Sequence, residues 1–133
     1  MPYHFVVDVA HHVVHVHIAG AVSVDDMMAL QVEIAGDPAY DPAFDRLIDC
    51  RELTRVPSRD EARMLAAVIR KSIAEGTRSR RAYIHLPGAP FGVGRMIEIM
   101  AAVDEELIRV FSDEGAARAW LGLPPAEARP ESA

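Results

Sequence analysis

Four of the six histidines in this 133-residue chain fall within "HHVVHVH", residues 11–17. His15 and His17 form an H-x-H pair, and two imidazoles at i and i+2 on a strand project from one face and can share a metal ion. A structural zinc site uses four ligands. Only His4 and Asp8 of the preceding segment are near enough in sequence to add to the pair. His15 and His17 are therefore weak metal candidates, and the expectation is no metal site. The alternative is a polar strand face that is either wet or covered by a second subunit.

A second set of reactive side chains is spread more widely: Asp49, Cys50 and Arg51 in "RLIDCREL", His85 in "RAYIHLPG", and Phe91, Gly92 and Arg95 in "FGVGRM". A cysteine nucleophile needs a positioned base, and His85 is the candidate. No complete set of acid, base and nucleophile is visible, so no catalytic residue is assigned and a non-enzymatic protein is expected. Asp49, Arg51, His85, Phe91, Gly92 and Arg95 are candidates for binding a ligand. The glycines of "GAPFGVG" match neither the phosphate-binding G-x-x-x-x-G-K-[ST] nor the dinucleotide G-x-G-x-x-G spacing, and no cofactor is expected.

The elements that would position these groups are legible from periodicity and punctuation. "YHFVVDV" and "VVHVHIA" are β-rich segments close enough to form a hairpin. Val14, Val16 and Ile18 share one face of the second, and Val13, His15 and His17 the other. "SVDDMMALQVEIAG" reads as a helix capped by Ser23 and closed at Gly36, with Met27, Leu30 and Ile34 inward. "RLIDC" reads as a short, central strand. "SRDEARMLAAVIRKSIAEG" is a helix with capping-box spacing at Ser58 and Glu61, an apolar face of Ala62, Leu65, Ala66, Ile69 and Ile73, and a stop at Gly76.

"RAYIHL" is the next strand. "FGVGRMIEIMAAV" is a helix with Val93, Met96, Ile97, Met100 and Val103 inward. "LIRVF" and "DEGAARAWLGL" close the series as strand and helix. The order β-β-α-β-α-β-α-β-α predicts an α/β fold, with a mostly parallel sheet and an antiparallel N-terminal hairpin strand. One domain is expected over residues 1–122, followed by a disordered tail at 123–133. Sites in such sheets lie beyond the carboxyl ends of the strands. Those ends are expected at residues 49–51, 85–87 and 111–112.

Composition narrows the partners. The net charge is −6, which disfavours general nucleic-acid binding. The one cysteine, Cys50, excludes an internal disulfide. No secretory signal and no integral membrane segment is evident, so a cytoplasmic location is expected. Residues 1–45 carry no lysine or arginine, whereas residues 46–81 hold ten of the fourteen basic groups. Arg59, Arg63 and Arg70 fall within roughly 40° of one another on their helix and form a candidate interaction surface for an acidic partner or anionic lipid. Met27, Met28, Met96 and Met100 are flexible enough to line a hydrophobic pocket.

Four patterns, in this order and spacing, resemble the small bacterial SpoIIAA-like proteins of the STAS/SEC14-related group: "GAVSVDDMMAL", "DPAFDRLIDCREL", "FGVGRM" and "RVFSDEGAARAWLG". The resemblance covers about residues 4–122. It implies a compact α/β domain, often a homodimer, without demonstrated enzymatic activity. Antagonists of this group carry a phosphorylatable serine in a D-S-x-G loop, and Ser58 occupies the comparable place. Here the local sequence is "RVPSRDEA", which lacks both the Asp and the Gly. Two functions follow as expectations. One is a regulatory module acting by protein–protein association, as in anti-sigma-factor antagonists. The other is a small carrier or sensor holding an apolar or anionic ligand between sheet and helices.

Overall fold

A computed structural model of the chain describes residues 2–75, 79–101 and 107–125. Five strands form one sheet in sequential order: β1 (Tyr3–Asp8), β2 (Val13–Gly20), β3 (Asp45–Leu53), β4 (Arg81–Ile84) and β5 (Ile108–Phe111). β1 runs antiparallel to β2, and every later pair is parallel. Helices α1 (Val24–Ala35), α2 (Arg59–Glu75) and α3 (Ala89–Ala101) make the three parallel crossovers, and α4 (Glu114–Leu121) follows β5.

This topology decides which face each helix covers. Every crossover steps one strand in the same direction. Since β-α-β crossovers are right-handed, α1, α2 and α3 must all lie on one face. α4 follows the last strand and is free of that constraint. It packs Ala117 and Leu121 against Val13, Leu47, Ala82 and Ile84 on the opposite face. That face is covered over β3–β5, and the β1–β2 side is left open.

The strand alternation agrees with the residue pattern. Val14, Val16 and Ile18 are buried with Leu30 and Ile34 of α1, and Met27 packs against this cluster. His15 and His17 are on the other face, partly exposed. Ser23 caps α1 with Oγ accepting from the Asp26 N–H, while Asp26 accepts from the Ser23 N–H. Ser58 and Glu61 make the same reciprocal pair at the start of α2. Ala62, Ala66 and Ile73 are buried along α2, with Leu65 and Ile69 half-buried. α3 begins two residues earlier than its apolar pattern suggests, because Pro90 suits a first helical turn. Gly76, Val103 and the Met100 side chain lie outside the described residues, as does 126–133 of the expected tail.

One expectation is corrected with consequences for the site. β3 is nine residues long, not a short strand ending at Cys50. A register shift between His17 and Ala19 lets β2 continue and pair Ala19 with Glu52 and Gly20 with Leu53. Asp49, Cys50 and Arg51 are therefore inside a strand, on alternate faces, and not beyond its carboxyl end.

Candidate functional site

Three strands present an inward series toward α1–α3: Arg46, Ile48 and Cys50 on β3, Arg81 and Tyr83 on β4 with His85 just beyond it, and Ile108 and Val110 on β5. Between these and the helices lies a cavity of about 220 Å³. Its walls are mainly apolar: Val16, Ile18, Ile34, Ile48, Leu65 and Ile97 are among them. Its polar wall groups include Gln31, Arg46, Tyr83, His85 and Glu98. At the carboxyl end of the sheet it is bordered by Leu53–Pro57 and Pro90.

The arginines are the least expected part of this core. Arg46 is 4% exposed and Arg81 is 2% exposed. They face each other in the β3–β4 register, which sets their backbones about 4.8 Å apart. Arg46 donates from Nη1 to Gln31 Oε1 and from Nη2 to the Tyr40 hydroxyl. Arg81 donates from Nη2 to Ser72 Oγ at 2.9 Å, and Ser72 donates in turn to Gln31 Oε1 at 3.2 Å. All of these partners are neutral. Among the described residues no carboxylate pairs with either guanidinium, and Nε of both is buried without a partner. Burial, reinforced by the Arg46 charge, pushes Arg81 down to about 10. Burial pushes the Tyr83 hydroxyl up, against the opposing charge of Arg81.

His85 and Glu98 shape the other side. A Cβ on Gly94 would stand 2.9 Å from the His85 ring, so only glycine lets α3 approach this closely. Burial pushes His85 down to about 4, which leaves it neutral at pH 7. Glu98 accepts from the Val110 N–H at 3.1 Å and from Arg95 Nη1 at 2.7 Å. It thereby satisfies an outward N–H of the edge strand β5. Arg95 is tied to Glu98 at the surface. Phe91, Gly92 and Arg95 are not among the cavity walls, whose α3 contributions include Pro90, Val93, Gly94 and Ile97. Of the four methionines expected to line a pocket, Met27 is part of the wall and Met28 is exposed.

The six ligand-binding candidates are thus separated. His85 borders the cavity. Asp49 and Arg51 point to the opposite face, where Arg51 donates from its backbone N, Nε and Nη2 to the Asp49 carboxylate. The same Nη2 reaches Glu114 at 2.8 Å, and Glu114 also accepts from Arg118. This chain of contacts ties β3 to α4. Burial tends to raise the Asp49 carboxyl, but the hydrogen bonds and charge of Arg51 outweigh it and hold the group below its usual range.

Because the folded value lies below the unfolded one, Asp49 contributes stability above the ordinary carboxylate range. That contribution disappears as pH falls through the folded value. Asp49→Asn is expected to lose about 1 kcal/mol at pH 7, a modest figure because Arg51 is about one-third exposed. Urea unfolding should show the gap between the two proteins at pH 7 narrowing at a pH below the ordinary carboxylate range. A gap of the same size at both pH values would reject this role.

Cys50 is buried, and burial followed by the Asp49 charge pushes its thiol well up. With His85 neutral and no hydrogen bond between the two among the described residues, the pair lacks an ionised nucleophile. His15 lies 3.4 Å from Asp8, whereas His17 lies 3.2 Å from Glu52. The two imidazoles serve different carboxylates, and no group of three or more potential ligands is gathered for a metal among the described residues. Ser58 Oγ accepts from the Glu61 N–H, and Glu61 is held by Arg55. Arg59, Arg63 and Arg70 are exposed on α2, with Arg63 4.0 Å from Asp60. Among the described residues no helix is long and apolar enough to cross a membrane.

Sequence reasoning missed Arg46, Arg81 and Gln31. In "DRLIDC" Arg46 shares the parity of the buried Ile48 and Cys50, but in "RAYIHL" the apolar parity is that of Ala82 and Ile84, so periodicity there does not reveal Arg81 as an inward residue.

The fold is SpoIIAA-like. The chain is similar in structure to an uncharacterized protein of the DUF3478 family, with a SpoIIAA-like fold, from Shewanella loihica PV-4. The two are 23% identical, with a TM-score of 0.53, over 81% of this chain and 82% of the other. At this identity the likeness is one of fold. No family model matches the chain. No curated protein matches it.

Proposed function

We propose that this protein is a non-catalytic binding domain that takes a small, largely apolar molecule between its sheet and helices α1–α3. The supporting observation is the cavity itself. Protein cores are packed to crystal-like density, and voids larger than a water molecule are few. An apolar cavity of about 150 Å³ is enough to bind benzene. The void here is about 220 Å³ and is walled by residues of the sheet and of α1–α3. Leaving it empty forfeits dispersion contacts around its whole lining.

The regulatory reading by protein association draws its support from a different surface. The β1–β2 side of the second face carries His4, Val6, His15 and His17 without a covering helix. The cavity is the more specific feature, and a carrier or sensor role follows from it.

The test is native mass spectrometry of the full chain from a bacterial host, followed by titration with a fluorescent apolar probe, indole, whose size of about nine non-hydrogen atoms matches the void. A small-molecule adduct and saturable probe binding are expected. Val68→Phe, which adds a ring to the cavity wall, should weaken probe binding at least about tenfold, as overfilling removes the space. Unchanged binding in a folded Val68→Phe protein would place the probe elsewhere and reject the reading.

A further inference from the structure

We propose that the cavity is built for an organic monocarboxylate of about eight to ten non-hydrogen atoms, with its carboxylate turned inward against Arg46. This inference rests on the cavity-binding reading above and specifies the chemistry of the occupant.

Three observations carry it. The first is the unbalanced charge. Arg46 is 4% exposed, forms part of the cavity wall and has a buried Nε without a partner. Arg81 stands beside it with its own Nε unpartnered. Buried charges in proteins are normally paired, because an unpaired one carries a large desolvation penalty. Here Gln31, Tyr40 and Ser72 offer neutral acceptors only. An anion beside Arg46 would supply both the missing charge and the missing acceptor.

The second observation is position. Arg46 lies seven residues before Leu53, roughly 23 Å along β3 from the end bordered by Leu53–Pro57. The cationic end is therefore the deep one, and an amphiphile enters head first. A saturated eight-carbon chain, roughly 10 Å long, spans about three residues of strand rise. Its tail would end near Ile18, Cys50 and His85, where the wall is apolar or carries a neutral imidazole.

The third is size and charge class. Scaling from the benzene-sized void gives room for about nine heavy atoms. A monoanion suits this site better than a phosphate dianion, because each added buried charge must again be desolvated and paired.

The experiment compares octanoate with 1-octanol by isothermal titration calorimetry on the full chain. The two share an eight-carbon tail and differ in the head group. Octanoate is expected to bind at least about tenfold more tightly, the scale of one charge-assisted hydrogen bond. Arg46→Met should lose that preference while keeping 1-octanol affinity within about threefold. Equal binding of the two by the parent protein would overturn the carboxylate assignment and leave the cavity reading intact. Octanoate binding that survives Arg46→Met would overturn it as well. A measurement on the parent alone guards against a misfolded variant. The bound carboxyl of ¹³C-labelled octanoate should titrate at lower pH than the free acid, and an unshifted or raised value would reject the guanidinium contact. Absence of binding by either compound, with the fluorescent probe still bound, would reject this ligand class alone.

Discussion

An Arg81→Met protein is expected to be more stable than its parent by about 1–4 kcal/mol, the range seen when buried ionic groups are replaced by apolar ones of similar volume. Arg81 is 2% exposed, has Arg46 as its strand neighbour and leaves Nε without a partner. The folded value, about 10, lies below the ordinary guanidinium value. Between those values the unfolded chain holds more protons than the folded one, so this group's contribution makes stability rise with pH there. Below about pH 10 the charged form is disfavoured by folding and the penalty is fully present. Methionine removes it at every pH.

Urea unfolding at pH 7 should therefore show a higher midpoint for Arg81→Met, with the advantage shrinking as pH is raised above 10. A ligand changes the comparison in a defined way. Octanoate binds the folded state and should stabilise the parent by mass action. A variant less stable than the ligand-free parent at pH 7 would show that the buried guanidinium is already compensated and that its charge carries no net penalty.

Ile84→Ala is expected to destabilise the protein by about 2–5 kcal/mol. Ile84 is 1% exposed on the short strand β4 and belongs to the cluster that holds α4. α4 has eight residues, below the length at which a helix stands alone in water. Its Asp113 cap and the left-handed Gly122 at its end define its bounds, but its attachment comes from Ala117, Leu121 and Trp120 packing. The loss should appear first as faster amide exchange in α4, then as a lower unfolding midpoint. Ligand affinity should change little once folded protein is compared, because Ile84 faces away from the cavity. A ligand-affinity loss as large as the stability loss would mean that the two faces are coupled.

Much of the local architecture is legible directly. The alternation of Val14, Val16 and Ile18 with His15 and His17 assigns the two faces of β2 without reference to any partner strand. Ser23 and Ser58 mark two helix starts because their spacing to Asp26 and Glu61 suits reciprocal capping. The apolar series from Ala62 to Ile73 identifies the inner face of α2. These features are short-range, and a few neighbouring residues suffice to specify them.

The site is harder to read. Asp49, Arg51 and His85 group together in the sequence because all lie near the strand ends that periodicity predicts. The longer β3 puts Asp49 and Arg51 on the face of α4 and leaves His85 with the cavity. Strand length depends on the extension of β2 past its register shift, which is a property of the pair and not of either segment. Ser58 stands out for its place in the helix start, and in the structure its hydroxyl is engaged in the cap.

Sequence alone therefore determined the element order, the α/β class, the N-caps of α1 and α2 and the two faces of β2. Tertiary structure alone decided that Arg46 and Arg81, thirty-five residues apart, meet inside the core. It also decided that α1–α3 share one face while α4 takes the other. The physical reason is that parity and capping act over a turn or a pleat, whereas side-by-side placement follows from strand register and crossover handedness. Those long-range constraints bring two cations together beside a void.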